Sequence, residues 1–265
     1  MIVEILWTGG FDSTFRVCQL SRKDVTIRPY YLSSGARESE KYELNAVNTI
    51  REMLLNNPDT KATIEPLVYV SHESQRQDGT ISKAFNALRE LDFMGTQYEW
   101  LSVFASDHKN IELSIHRDDK AIELISKHGK LIEEDSPYRK YYVVDKANSS
   151  SDVITVFGNM HFPLVDYTKL EMKKEYIDMG LKDIISQTWF CHSPVNGKPC
   201  GRCNPCRYTI QEGMAERLPR DVVMRYRIEH LKYRFYRTSL FKLARNFKRN
   251  VLRIPPKIQS KGTES

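Results

Sequence analysis

The chain lacks any apolar run near the ~20 residues that a bilayer-spanning helix needs. Its N-terminus also lacks the basic start, apolar stretch and small-residue cleavage site of a secretory signal. Both absences predict a soluble, cytoplasmic protein. A disulfide framework is missing too. Only five cysteines occur in 265 residues, and four of them crowd into positions 191–206 instead of spreading as staples would. The fifth, Cys18, stands alone on a predicted helix and reads as a small buried apolar residue. There is no internal repeat, and no G-x-x-x-x-G-K-[ST] phosphate loop. Acidic residues are scarce near the C-terminus. Residues 220–265 hold 13 Lys or Arg against three Asp or Glu, a net +10, so the overall +6 leaves −4 for the rest. Such asymmetry signals a partner for the basic tail.

What is present suits a folded protein. With 40% hydrophobic and 28% charged residues, a chain of 265 can bury a sizeable core. The organising stretch is Leu6-Trp7-Thr8-Gly9-Gly10-Phe11-Asp12-Ser13-Thr14. Residues 2–7 read as a buried strand and 15–20 as an apolar-periodic helix, so 8–13 is a strand-to-helix turn. Two glycines let the backbone approach a ligand. The unpaired N–H groups of the following helix point at its positive end. With the Thr8, Ser13 and Thr14 hydroxyls they make an anion cradle suited to phosphate. Asp12 also suits the helix start as a cap.

Further strands are predicted at 25–32, 62–70 and 111–115, and helices at 38–55, 80–91, 97–106 and 120–127. This alternation predicts an α/β fold with a doubly wound parallel sheet, whose ligands sit at the carboxyl ends of the strands. Residues 141–145 and 153–157 read as two strands joined by Asn148-Ser149-Ser150-Ser151. Thr168 and Glu171 form a capping box for a helix over 168–179. From Pro219 the chain reads as helical, interleaving Tyr226, Tyr233, Phe235, Tyr236, Phe241 and Phe247 with basic residues, and 255–265 read as disordered.

Cys191, Cys200, Cys203 and Cys206 form C-x8-C-x2-C-x2-C. Four thiolates at that spacing suit one tetrahedral Zn²⁺, and a site filled by four protein ligands is structural. An iron–sulfur cluster and a redox C-x-x-C pair are the alternatives. His192 is an alternative ligand or a solvated side chain.

The glycine turn resembles the Ser-Gly-Gly-x-Asp-Ser loop of the PP-loop, or N-type ATP pyrophosphatase, superfamily, with Thr8 in place of serine. Residues 188–191 and 199–207, the segment 163–171 (Pro-Leu-Val-Asp-Tyr-Thr-Lys-Leu-Glu), and Glu43 with Ala46 are similar to the 7-cyano-7-deazaguanine synthase family. The resemblance runs patchily from the first strand to about residue 215. It implies an adenine nucleotide α-hydrolase-like domain over 1–187, a four-cysteine zinc segment over 188–218 and a basic helical tail over 219–265. It implies ATP, Mg²⁺ bridging the phosphates and structural Zn²⁺. A carboxylate on a deazapurine attacks the α phosphate, and ammonia then displaces AMP to give an amide, which a second adenylation converts to a nitrile. Thr8, Gly9, Gly10, Asp12, Ser13 and Thr14 are the expected nucleotide contacts. Asp12, Ser13 and Lys169 are the expected catalytic residues, with Lys169 facing phosphate.

Substrate contacts are expected from Gln97, Arg117 and Asp118; Asp118 or Asp119 equally suits a helix cap. Two stretches depart from the family: Ser33-Ser34-Gly35-Ala36 replaces its Tyr-Gly-Gln turn, and its Asp- and Tyr-rich stretch after the fourth strand is gone. The departures leave open a ligase that stops at the amide and joins the acid to another amine on a protein or nucleic acid; relatives of the synthase also occur in anti-phage defence clusters. A zinc-containing nucleic-acid-binding module without catalysis is the reading from another class, with aromatic and basic residues of the tail as the contacts. The tail equally reads as an amphipathic helix packed on the body; an anionic membrane surface is a third use. The tail thus leaves a protein or nucleic-acid partner open, and a homodimer is compatible.

Overall fold

A computed structural model describes residues 1–35, 37–136 and 139–237, without the side chains of Arg139 and 233–237. Two compact units divide the chain, Met1–Arg217 and Leu218–Ser265. The first is an α/β unit built on one parallel sheet. Its strands are β1 (Ile2–Leu6), β2 (Thr26–Ser33), β3 (Thr63–Ile64), β4 (Val68–Ser71), β5 (Ile111–Glu112) and β8 (Met160–His161). They lie in the order β3-β2-β1-β5-β8, with β4 extending the β3 edge along the second half of β2. All are parallel. The winding reverses between β1 and β5, and at that switch point the loops leaving two strands part to open a crevice.

Helices α1 (Phe11–Ser21), α2 (Glu40–Leu55), α7 (Lys169–Asp178) and α8 (Lys182–Ser186) cover one face; α3 (Gly79–Leu91), α4 (Gln97–Asp107), α5 (Lys120–His128) and α6 (Ser151–Phe157) cover the other. Alternation along β1 feeds both cores: Val3, Ile5 and Trp7 join the first, Leu6 the second. Cys18 is fully buried in the first core, and burial pushes its thiol up to about 12. A bidentate ion pair links the two sides of the switch point. Arg16 Nε and Nη2 each lie 2.9 Å from an oxygen of Glu112, which is wholly buried on β5.

Two expectations need correction. The predicted third strand is two short strands, because Pro66 stands between them and has no N–H for the ladder. Residues 153–157 are helical, not extended: they form most of α6, and the Ser150 side chain accepts the Val153 N–H. The partner of 141–145 is instead β6 (Leu131–Ser136), which pairs antiparallel with β7 (Arg139–Val144) as a separate hairpin.

In the second unit, α10 (Arg220–Arg237) carries Tyr226 stacked on His230 one turn later, ring centroids 5.9 Å apart. The side chains of Tyr233, Phe235 and Tyr236, together with Ala36, Phe241, Phe247 and residues 255–265, lie outside the described residues. Among the described residues no helix is long and apolar enough to cross a membrane.

Candidate functional site

The turn that follows β1 is built to bring backbone forward. Gly9 has φ +69°, and a Cβ there would stand 2.6 Å from the Glu43 carbonyl oxygen and 3.2 Å from the Ala46 methyl. The helix α2 therefore presses on the turn, with a small residue at the closest approach. Gly10 caps α1 without a side-chain bond, so the first N–H groups of the helix face out toward the strand ends. Asp12 is not the cap. It lies in the first turn, and its carboxylate receives Lys169 Nζ at 2.5 and 2.6 Å. Ser13 keeps its hydroxyl beside the turn, 3.4 Å from the Thr8 N–H and 3.5 Å from Thr8 Oγ1. Thr14 is a second correction. It is wholly buried, and its Oγ1 accepts the Trp7 indole N–H at 3.0 Å, so its hydroxyl braces the turn from behind and lines neither cavity described below.

Lys169 opens α7 directly after its N-cap, inside a capping box in which Thr168 Oγ1 accepts the Glu171 N–H and Glu171 accepts the Thr168 N–H. That box fixes the helix start and so the root of the lysine. Arg217 lies over the Phe11 ring at 5.3 Å and the Phe190 ring at 4.7 Å, and donates to the Thr188 carbonyl at 3.1 Å. His116 follows β5 and is 4% exposed. Burial disfavours its charged form, but the Glu212 carboxylate and Asp12 outweigh this and hold its pKa above the ordinary imidazole value.

Two cavities meet over the turn and share Thr8, Gly10 and Asp12. One, about 460 Å³, lies over the strand ends and is lined by Leu6, Tyr30, Leu32, Trp100 and Leu113. The other, about 580 Å³, reaches to Lys169, His116, Tyr208, Glu212 and Arg217. Gln97 borders both, and Asp118 borders the second. Arg117 is a third correction. It turns away to the Asp166 carbonyl and sits 3.5 Å from Glu171, because Asp166 and the capping carboxylate offer it partners on the outer surface. Asp119 takes the cap role, accepting the Ala121 N–H at 2.8 Å. Burial raises its pKa. Sequence reasoning missed Arg37, Glu212 and Arg217. Arg37 borders both cavities and buries its Nε without a hydrogen-bond partner.

The Sγ atoms of Cys191, Cys200, Cys203 and Cys206 all lie within 4.8 Å of one another. A tetrahedral zinc with ~2.3 Å bonds to sulfur holds its ligands about 3.8 Å apart, and Cys191 and Cys203 already stand 3.9 Å apart. The Arg202 and Cys203 N–H groups point at Cys200 Sγ at 3.3 and 3.4 Å, an arrangement that favours thiolate. The four cysteines can therefore hold one zinc ion. His192 stands outside this group and borders the two cavities. The cysteine segment also reaches the glycine turn: the Trp189 N–H donates to the Gly9 carbonyl at 2.9 Å, and the Trp189 ring stacks on Tyr42 of α2 at 4.6 Å.

No family model matches the chain. A 58-residue stretch is 38% identical to the 7-cyano-7-deazaguanine synthase of Paramagnetospirillum magneticum, covering 22% of this chain and 24% of that protein. A solved structure described as a "predicted subunit of tRNA methyltransferase" from Methanocaldococcus jannaschii aligns over 68% of this chain and 89% of its own, at 13% identity and a TM-score of 0.29. The chain is thus similar to a deazaguanine synthase over a short stretch, on an α/β unit with a glycine turn at its switch point and four clustered cysteines beside it.

Proposed function

We propose that the protein is an ATP-dependent ligase that adenylates a 7-carboxy-7-deazaguanine-type acid and passes the acyl group to ammonia. The observation that carries this reading is the Gly9-Gly10 turn at the sheet's switch point, with Lys169 held on Asp12 where a phosphate would rest. In this reading a nucleoside occupies the cavity of mixed lining over the strand ends, and its phosphates reach the unpaired N–H groups of α1. Asp12 would hold the Mg²⁺ carried by ATP, which would supply positive charge to the phosphates and leave Lys169 free to face them. The acid's carboxylate oxygen attacks the α phosphorus, the bond to the β phosphate breaks, and pyrophosphate leaves. Charge grows on phosphate oxygens that the turn, Lys169 and Arg217 face, which is where preorganised donors act most strongly. Ammonia displaces AMP to give the amide, and a second adenylation at the amide oxygen leads to the nitrile. The short stretch of identity to a deazaguanine synthase supports the choice of acid.

The test is incubation with ATP, 7-carboxy-7-deazaguanine and ammonium, followed by mass spectrometry and pyrophosphate assay. Pyrophosphate with an amide or nitrile is expected. Lys169→Ala should slow adenylation on the order of 10²–10³-fold while leaving the melting temperature and zinc content in place. An adduct with a larger amine redirects the second half to another acceptor. Failure to release pyrophosphate with any deazaguanine acid removes the enzyme reading.

A further inference from the structure

Glu212 closes α9 (Asn204–Gln211), the helix that carries Cys206, and brings a carboxylate to the cavity beside Lys169. Three of the other four carboxylates there are engaged, and the fourth, Asp118, borders the same cavity on the loop after His116. Asp12 holds Lys169, Asp119 caps α5, and Glu43 accepts from Tyr31 at 2.7 Å and Ser39 at 2.6 Å. Glu212 is placed differently. Its Oε1 lies 3.7 Å from His116 Nε2 and its Oε2 lies 4.0 Å from Lys169 Nζ. The Asp118 N–H points at His116 Nδ1 at 3.2 Å, which leaves the ring proton on Nε2, facing Glu212. The carboxylate thus stands at the cavity wall between a histidine and a lysine, within 4.0 Å of each.

The second half of the proposed reaction has a demand that no group above meets. Attack by ammonia leaves a positive charge and a surplus proton on nitrogen, and the phosphate-facing cations Lys169 and Arg217 repel that charge. We propose that Glu212 is the general base of the amide-forming half, with His116 as its positioning residue; this rests on the adenylation reading. The nitrogen lone pair forms the C–N bond to the acyl carbon. Nitrogen gives one proton to Glu212, the acyl C–O bond breaks, and its electron pair leaves with AMP. Glu212 then returns the proton to water.

The two halves are separable by experiment. Exchange of labelled pyrophosphate into ATP, dependent on the deazaguanine acid, reads adenylation alone; amide yield reads both. In Glu212→Gln, amide formation should fall by roughly 10²–10⁴-fold, the usual range for a lost general base, while exchange stays within about threefold. Glu212→Asp should restore part of the rate. Hydroxylamine, a strong nucleophile largely unprotonated at neutral pH, should trap the accumulated acyl-adenylate as hydroxamate in Glu212→Gln. His116→Gln should show the same split to a smaller degree. An unchanged amide rate in Glu212→Gln overturns the proposal, and so does an equal fall in exchange and amide with no hydroxamate, which marks a structural role. Absence of exchange in the unaltered protein removes the adenylation reading, and this proposal with it.

Discussion

A methyl group at position 9 would meet a main-chain oxygen at 2.6 Å, in a backbone conformation that L residues adopt at a cost of about 1–2 kcal/mol. Backbone cannot swing aside as a flexible side chain can, so either α2 shifts or the turn opens. Gly9→Ala should therefore lower stability by at least about 1–2 kcal/mol and raise the ATP concentration for half-saturation. Urea unfolding and a nucleotide titration check both, and an unaltered titration would mean that the turn's exact path is unimportant for nucleotide. The turn was legible because its glycines, its hydroxyls and Asp12 are adjacent in sequence. Lys169 was legible only through the family resemblance, since 157 positions separate it from Asp12. Glu212 and Arg217 were not legible: each looks like one more surface charge until folding carries the cysteine segment against the turn. Thr14 shows the converse. Its hydroxyl belongs to the right residue class in the right stretch, but the helical rotation points it at Trp7 instead of the ligand side.

Among the elements, α6 shows how a short apolar run misleads. Val153, Val156 and Phe157 are buried at a helical spacing, but β-branched residues within five positions read equally well as a strand. The serine-rich stretch before them decides the matter, because Ser150 Oγ accepts the Val153 N–H and offers the first turn a partner. Ser150→Ala should cost about 1 kcal/mol, the usual value of such a cap. In a unit of this size that is a fall of about 2–4 °C in melting temperature, read by calorimetry, with pyrophosphate release unaffected. No change in melting would show that α6 is held by its packing alone. The long elements were clear from periodicity, as α2 and α3 illustrate. The strand expected at 111–115 shortens to β5 (Ile111–Glu112), and the two-residue β8 was not legible, since so short a pairing is set by the neighbours that flank it in the sheet. The capping box at Thr168 was clear because its two partners lie three residues apart.

For the unit formed by residues 1–217, the cysteine segment and the glycine turn are one mechanical assembly. Trp189 donates to the Gly9 carbonyl, Arg217 joins the Thr188 carbonyl to the Phe11 ring, and α9 delivers Glu212 to the second cavity. The loop around the cysteines is polar and proline-containing, and a metal bound by the four thiols would supply folding energy to it. Removing zinc should thus do more than loosen a peripheral loop. Losing the Trp189 hydrogen bond alone is worth about 1 kcal/mol, or roughly a fivefold weaker grip on nucleotide if the turn relaxes with it. Chelation, or Cys203→Ser, should lower metal content by elemental analysis, lower the melting temperature, and weaken binding of a non-hydrolysable ATP analogue by calorimetry. Because the readout is binding, the result does not depend on which acid or amine the protein uses. If the analogue binds as tightly to the stripped protein, the zinc segment and the turn act independently, and the link through Trp189 is a packing contact without consequence for nucleotide.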